Sequence, residues 1–324
     1  MNRRAFVASG LALSVAPGAV WAAGAAGDDG YSVSVESGTL FGTALVPAVR
    51  RAPAVLIIGG SGPTDRDGNS PLGLKTDAYK QIAEALFARG VASVRYDKRG
   101  VGASYNALLD ESKARFEDVI ADASSWIAKM RSDARFGPIT VAGHSEGSLI
   151  GMLAAYRAQA DAFVSLEGPG FPAAEGLRRQ THVALAAMPD LEAANDRILD
   201  ALTRGETVAD VPDALAPLYR ASVQPYMIGY FRYDPRIEVA QLTCPVTIVQ
   251  GTADFQVLVD DANALAAAIP AARLDIVDGL THPLKHVDDP SRANQLATVY
   301  ADPSIPLDPA VTDAIEAAAW PRER

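Results

Sequence analysis

Short continuous apolar runs alternate with helix-spaced segments through the first half of the chain. The runs predict buried strands, because a strand covered on both faces needs apolar side chains at every position. They lie at residues 54–58, 91–96, 139–143 and 162–166, and the helix-spaced segments between them lie at residues 77–89 and 116–130. Residues 31–36 and 39–46 alternate instead, which predicts an antiparallel hairpin ahead of the runs. The pattern as a whole predicts a mostly parallel sheet with helices on both faces.

This alternation stops between residues 171 and 236, where helical spacing and prolines continue without a buried strand. Helices are predicted there at residues 173–188, 191–203, 215–219 and 224–230. The sheet resumes with strands at residues 246–250 and 273–277, accompanied by helices at residues 260–268, 291–300 and 310–319. We therefore expect a core of residues 26–170 and 237–324, interrupted by a helical cap at 171–236.

The N-terminal residues have the features of an export signal. Arg3 and Arg4 precede a short apolar segment, and Ala22 or Ala25 ends a site of the kind that a signal peptidase cleaves. The paired arginines resemble a twin-arginine signal. We expect residues 1–25 to be a signal peptide, the mature protein to be periplasmic, and the mature chain to contain no membrane span.

Composition narrows the classes of function. The chain has 324 residues, 49% of them hydrophobic, and a net charge of -10, which is typical of a soluble globular protein. No basic run is present, so nucleic-acid binding is not expected. The single cysteine, Cys244, excludes an internal disulfide and is interpreted as a small buried hydrophobic residue.

Residues 143–147, Gly-His-Ser-Glu-Gly, match the G-x-S-x-G pattern between a predicted strand and a predicted helix. A strand that turns directly into a helix forces the central residue into a strained conformation that exposes its side chain, and the glycines remove Cβ atoms that would collide. Ser145 is therefore the candidate nucleophile. The backbone N–H of Glu146 lies at the start of the helix, where it can stabilise an oxyanion.

A serine nucleophile needs a base and a carboxylate, and both should follow it on loops after later strands. Asp254 directly follows a strand and is the candidate acid; Asp260 and Asp261 are expected to face solvent on the next helix. His282 follows the last strand and is the candidate base, with His286 as the alternative.

The second oxyanion donor should come from the glycine-rich loop after residues 54–58, and we select the backbone N–H of Ser61, with Gly60 next. The remaining candidates are expected to line a substrate pocket, although most of the aromatic residues in this group could instead pack the cap onto the sheet. They are Gly60, His144, Met227, Tyr230 and Phe231. The glycine-rich loop lacks the spacing of a phosphate-binding loop. No metal ligands are predicted, and residues 65–69 lack the spacing of a calcium loop.

With Ser145, Asp254 and His282 in this order and residues 59–63 upstream, the chain resembles the α/β-hydrolase family. Residues 95–104 also resemble a segment of its esterase, lipase and aminopeptidase-like members. The resemblance implies an eight-stranded sheet with a cap and an acyl-serine mechanism without metal or cofactor. Gly59 stands where relatives often carry histidine.

These observations predict a serine hydrolase acting on a small-molecule carboxylic ester. An aminopeptidase is the alternative, and it would need an acidic group such as Glu167, Glu175 or Glu192 to bind an α-ammonium. A thioester hydrolase and a binding module that has lost turnover are further alternatives.

Overall fold

The computed structural model describes residues 29–320, and of Asp29 only the backbone. The predicted signal peptide at residues 1–25 lies outside this range. Eight strands form one sheet, in the spatial order β1-β2-β4-β3-β5-β6-β7-β8. The strands are β1 (Asp29–Val35), β2 (Gly38–Leu45), β3 (Ala52–Ile58), β4 (Ala92–Tyr96), β5 (Phe136–His144), β6 (Ala162–Leu166), β7 (Val246–Gly251) and β8 (Arg273–Val277).

The first two strands pair antiparallel and β2 pairs antiparallel with β4, whereas every later pairing is parallel. The predicted hairpin and the mostly parallel sheet are therefore confirmed. In the parallel part, all strands point the same way, so the loops that follow β3 to β8 meet at one edge of the sheet.

Helices cover both faces of the sheet. The helices are α1 (Ala78–Ala88), α2 (Phe116–Ser132), α3 (Glu146–Ala158), α4 (Ala173–Leu185), α5 (Pro189–Thr203), α6 (Ala216–Tyr219), α7 (Gln224–Tyr230), α8 (Pro235–Ala240), α9 (Val259–Ala268), α10 (Arg292–Ala297) and α11 (Pro309–Ala319). Within residues 29–320, no helix is long and apolar enough to cross a membrane.

The central strands are apolar at successive positions because each face has its own core. In β3, Leu56 and Ile58 pack into the core that contains α2 and α3, whereas Val55 and Ile57 pack into the core that contains α1 and α11. The side chains of a strand alternate between its faces, so both sets of residues must be apolar. The buried central strands were therefore predictable from the sequence as continuous apolar runs.

Helices α4 to α8 lie between β6 and β7, where the sequence predicts the helical cap. Tyr219 and Met227 are fully buried within this segment. The predicted boundary between residues 236 and 237 falls inside α8, a helix that the sequence pattern does not predict. Asp234 caps this helix by accepting a hydrogen bond from the Arg236 N–H, and Pro235 occupies its first turn.

Candidate active site

Ser145 lies at the sharp turn between β5 and α3. Its backbone has φ 55° and ψ −126°, a conformation that L-residues rarely adopt. A Cβ on Gly143 would lie 2.2 Å from the carbonyl oxygen of Gly147, and a Cβ on Gly147 would lie 2.3 Å from that of Ile58. Both glycines are therefore required by close backbone approach, as the sequence predicts, and the strained turn presents the Ser145 hydroxyl at the edge of the sheet.

The structure brings His282 and Asp254 to Ser145. The Nε2 atom of His282 lies 3.1 Å from Ser145 Oγ, and its Nδ1 lies 2.7 Å from Asp254 Oδ2. Because the carboxylate can only accept, Nδ1 carries the proton and Nε2 is left to accept the serine proton. The other oxygen of Asp254 accepts hydrogen bonds from the backbone N–H groups of Gln256 and Val257, at 2.6 and 3.0 Å.

His286, the alternative base, is turned away from this group. Its ring lies 3.6 Å from an Asp288 oxygen and 3.7 Å from an Asp308 oxygen, and half of its side chain is exposed. His182 forms a hydrogen bond with Glu192 on the surface of the inserted helices. Of these three histidines, His282 alone contacts Ser145.

Glu167 is a residue of the site that sequence reasoning assigned to a different role. It follows β6 directly, is fully buried, and accepts hydrogen bonds from the Gly251 N–H at 2.9 and 3.1 Å. Its carboxyl group also forms a hydrogen bond with Asp254. The signal available in the sequence was its position: Ser145, Glu167 and Asp254 each follow a strand at the same edge of the sheet.

Electrostatics assign different protonation states to these two carboxyl groups. Burial, followed by the charge of Asp254, raises the pKa of Glu167 well above its ordinary value. Burial opposes ionisation of Asp254 as well, but the imidazole of His282 and the hydrogen bonds from Glu167 and the backbone hold its pKa below the ordinary value. Glu167 is therefore the neutral donor, and Asp254 is the anion that faces His282.

The loop after β3 lies against Ser145. A Cβ on Gly60 would be 3.1 Å from Ser145 Cβ, and the Gly60 N–H already donates to Tyr79 Oη at 2.9 Å. Because the Gly60 N–H is already used in this hydrogen bond, the N–H of the next residue, Ser61, is the donor that this loop can offer to an oxyanion. The Glu146 N–H belongs to the first turn of α3, where backbone donors have no partner within the helix.

His144 is buried beside Ser145 and connects the loops that carry Gly60 and His282. Its Nε2 donates to the carbonyl oxygen of His282 at 2.8 Å, so its Nδ1 must accept from the Tyr79 hydroxyl at 2.7 Å. Burial and the neighbouring His282 lower the pKa of His144 to about 3, which keeps the ring neutral. The chain of hydrogen bonds from Gly60 through Tyr79 and His144 thus ends on the backbone of His282.

A cleft above Ser145 lies between the sheet edge and the inserted helices. Its lining residues come from the loop after β3 (the oxyanion loop, residues 59–63), the turn at Ser145, the loops after β6 and β7, and helices α4, α7 and α9. They are Ser61, Ser145, Glu146, Pro169, Ala173, Gly176, Leu177, Arg179, Gln180, Tyr230, Gln256, Val257 and Asp261.

Only Tyr230 of the predicted pocket residues lines this cleft. Met227 is fully buried and Phe231 is 6% exposed, and both pack in the core that also contains α2 and α3. Gly60 and His144 lie behind the cleft wall, held by the hydrogen bonds described above. Gly60, His144, Met227 and Phe231 are not among the residues that line the cleft. On α7, Tyr230 faces the cleft while Met227 packs inward, because one turn of a helix presents only one face to the cleft.

Asp261 is also not where the sequence predicts it. It is fully buried, accepts a hydrogen bond from the Gly170 N–H at 2.9 Å and forms an ion pair with Arg179 at 2.9 Å. Asp260 does face solvent. Because Arg179 comes from α4, a helix far from α9 in sequence, the partner that makes burial of Asp261 tolerable could not be inferred from local spacing.

Within residues 29–320, no group of three or more His, Cys, Asp or Glu side chains is arranged to hold a metal ion.

A family model described as serine aminopeptidase, S33 matches residues 72–288 of the chain. Esterase EstD of Thermotoga maritima is 27% identical over 220 residues, which cover 64% of this chain and 48% of that protein. The chain thus spans about half the length of the curated relative that it matches.

Solved structures share the fold at low sequence identity. Est1E from Butyrivibrio proteoclasticus is 19% identical with a TM-score of 0.56, over 89% of this chain and 96% of that chain. The α/β-hydrolase GrgF from Penicillium sp. sh18 is 17% identical with a TM-score of 0.55, over 79% of this chain and 91% of that chain. At these identities the likeness establishes the fold alone.

Proposed function

Because the chain belongs to the serine aminopeptidase S33 family of α/β-hydrolases, we propose that it hydrolyses carboxylic esters through an acyl-enzyme formed on Ser145. The observation that carries the proposal is the continuous contact from Ser145 Oγ to His282 Nε2, at 3.1 Å, and from His282 Nδ1 to Asp254, at 2.7 Å. The relationship to an esterase over 64% of the chain supports the choice of esters.

In the proposed reaction, Ser145 Oγ attacks the ester carbonyl carbon while its proton passes to His282 Nε2. The charge that develops on the carbonyl oxygen is held by the backbone N–H groups of Ser61 and Glu146. His282 then protonates the leaving alkoxide, which departs as the alcohol. Water, deprotonated by the same imidazole, attacks the acyl-enzyme and releases the carboxylic acid.

Variants of the proposed triad test this mechanism. Ser145→Ala is expected to lower kcat on a nitrophenyl ester by a factor on the order of 10⁶, and Asp254→Asn by about 10⁴ because the imidazole loses its correct tautomer. His282→Ala should be similarly inactive, whereas His286→Ala serves as the matched control and should retain activity. Folded Ser145→Ala with undiminished turnover would refute the proposal.

An aminopeptidase activity has less support from the positions of the acidic residues. Glu167 lies beneath Asp254, Glu175 is exposed, and Glu192 pairs with His182. Within residues 29–320, two acidic residues border the cleft, Glu146 and Asp261. Glu146 is paired with Lys98, and Asp261 is paired with Arg179. An α-ammonium group would therefore meet no uncompensated carboxylate there.

One substrate panel separates the hydrolase alternatives. We expect nitrophenyl esters to give a kcat/KM well above that of aminoacyl anilides and of acyl thioesters of the same acyl length. A preference for aminoacyl anilides would identify an aminopeptidase, and a preference for thioesters a thioesterase. A binding module without turnover would fail to be labelled covalently at Ser145 by a fluorophosphonate.

We also propose that residues 1–25 direct export and that the mature protein acts in the periplasm. The support is the pair Arg3 and Arg4 ahead of an apolar segment that ends in small residues. Mass measurement of the protein recovered from the periplasm should give an N-terminus that follows Ala22 or Ala25. Recovery of the full-length chain from the cytoplasm alone would contradict the proposal.

A further inference from the structure

A buried lysine, Lys98, lies beneath the oxyanion loop. It follows β4, its side chain is 7% exposed, and its Nζ donates a short hydrogen bond to the carbonyl oxygen of Gly60. The same Nζ lies 3.7 Å from Oε1 of Glu146, whose side chain is 3% exposed. The mechanism proposed above makes no use of either side chain, so the ion pair requires its own explanation.

The carbonyl oxygen that Lys98 contacts belongs to the same peptide unit as the Ser61 N–H. Among residues 29–320 no peptide bond is cis, and in a trans peptide the C=O and N–H point in opposite directions. An ammonium group bound to the Gly60 oxygen therefore determines the direction of the Ser61 N–H. The cation also polarises the amide, which strengthens the hydrogen bond that its N–H donates.

The other end of the ion pair belongs to the second donor. Glu146 supplies its backbone N–H from the first turn of α3, and its carboxylate is held by Lys98. Tyr226 of α7 donates a hydrogen bond to the same oxygen, Glu146 Oε1, at 3.0 Å. One buried cluster thus connects both oxyanion donors to each other and to the inserted helices.

Stability alone is a weak explanation for this cluster. Burial lowers the pKa of Lys98 and raises the pKa of Glu146, so each charge is held against a desolvation cost. Within the part of the chain that the structure describes, Glu146 Oε2 has no hydrogen-bond partner. A pair of apolar residues of similar volume would often stabilise such a position as well or better.

We propose that the buried Lys98–Glu146 ion pair is a positioning device that orients both N–H donors of the oxyanion hole, and that Tyr226 couples it to the inserted helices. The inference rests on the proposed ester hydrolysis. Lys98 is not among the residues that line the cleft above Ser145. It acts through the Gly60–Ser61 peptide. The effect of losing it should therefore appear in the transition state, where the oxyanion forms, and only weakly in substrate binding.

The test compares Lys98→Met with Arg99→Met. Arg99 is the neighbouring residue and forms its own buried ion pair with Asp122 at 2.6 Å, so its loss is a matched control that leaves the Gly60 carbonyl untouched. For Lys98→Met we expect kcat on a nitrophenyl ester to fall by about 10- to 100-fold. This loss is smaller than the 10²- to 10³-fold that is typical when a donor of the oxyanion hole is deleted. KM should change by less than about threefold. Arg99→Met should keep the wild-type kcat.

A second measurement separates orientation of the hole from general damage. A trifluoromethyl ketone forms a tetrahedral adduct with the serine, so its affinity for Lys98→Met should fall in parallel with kcat. If Lys98→Met does not fold, Glu146→Gln and Tyr226→Phe carry the same test, with smaller losses of kcat and ketone affinity together.

An unchanged kcat in folded Lys98→Met, or an unchanged ketone affinity despite a lower kcat, would overturn the inference. Equal losses of kcat in Lys98→Met and Arg99→Met would also overturn it. These results differ from failure of the proposed function, in which the wild-type protein itself neither hydrolyses the ester nor binds the ketone.

Discussion

Glu167 and Asp254 share a hydrogen bond at the ends of the neighbouring strands β6 and β7. Two carboxyl groups in this contact need a proton between them, and burial together with the charge of Asp254 keeps it on Glu167 by raising the pKa of that residue. Neutral Glu167 thereby donates to Asp254 and accepts from the Gly251 N–H. The acid of the proposed triad is thus itself supported by a second, protonated acid.

We expect Glu167→Gln and Glu167→Ala to behave differently. Glu167 accepts from both the Gly251 N–H and Gln250 Nε2. A glutamine whose amide donates to Asp254 has one acceptor oxygen left for these two donors, so kcat should fall, but less than in Glu167→Ala. Alanine leaves the Gly251 N–H without a partner, which should lower the free energy of unfolding by about 1–3 kcal/mol and reduce kcat. Denaturant unfolding and ester kinetics check both, and equal losses in the two variants would contradict this role.

The same pair of residues predicts a pH dependence of stability. The pKa of Glu167 is raised above its ordinary value of 4.5 by burial and by Asp254, so folding favours its protonated form. That contribution is fully present below about pH 4.5 and is lost as the pH rises through the folded-state pKa. Glutamine does not titrate, so Glu167→Gln should gain stability relative to the wild type as the pH rises from 4.5. A constant difference across this range would be the contrary result.

Tyr79→Phe should loosen the oxyanion loop. The tyrosine hydroxyl accepts from the Gly60 N–H at 2.9 Å and donates to His144 Nδ1 at 2.7 Å. Its removal leaves two buried groups without partners, at a cost of about 1–3 kcal/mol in the free energy of unfolding. We expect kcat to fall with little change in KM, and Tyr156→Phe, on the exposed side of α3, to change neither. Wild-type kcat and stability in Tyr79→Phe would contradict the proposed link.

His144 should make the protein sensitive to acid. Burial and the neighbouring His282 lower the pKa of His144 from 6.5 to about 3, so folding favours the neutral ring. Its contribution is present above about pH 6.5 and is lost as the pH falls towards 3, at about 1.4 kcal/mol per pH unit for this group. His144→Gln should flatten the acid limb of the stability curve, whereas His286→Gln, a half-exposed control, should not. Identical acid limbs would exclude this origin.

Gly176→Leu should narrow the cleft. Gly176 lies in the first half of α4, lines the cleft, and a Cβ there would meet no atom closer than the Arg179 guanidinium at 4.0 Å. The added side chain can enter the open space, and leucine favours the helix by roughly 0.5–1 kcal/mol over glycine. In a series of nitrophenyl esters, kcat/KM should fall for esters with long acyl chains and should keep its wild-type value for the acetate ester. An unchanged chain-length profile would mean that the acyl group binds elsewhere.

Local patterns determined much of the fold. The central strands are covered on both faces of the sheet, so consecutive residues in them must be apolar. This makes the strands recognisable as continuous apolar runs. The turn at Ser145 was predictable for the same reason, since Gly143 and Gly147 satisfy steric demands within a few residues of the nucleophile. That Ser145, Asp254 and His282 could meet was predictable because each follows a strand, and parallel strands end at one edge of the sheet.

Tertiary structure decided which residues distant in sequence are in contact. Choosing between His282 and His286, burying Asp261 against Arg179, and pairing Glu167 with Asp254 all require knowledge of which loops meet above the sheet. Hydrophobic periodicity indicates which side of a helix or strand is buried, but it does not indicate which residues pack against that side. For Met227 and Tyr230 on the same helix, only the packed arrangement of α7 determines which side chain reaches the cleft and which fills the core.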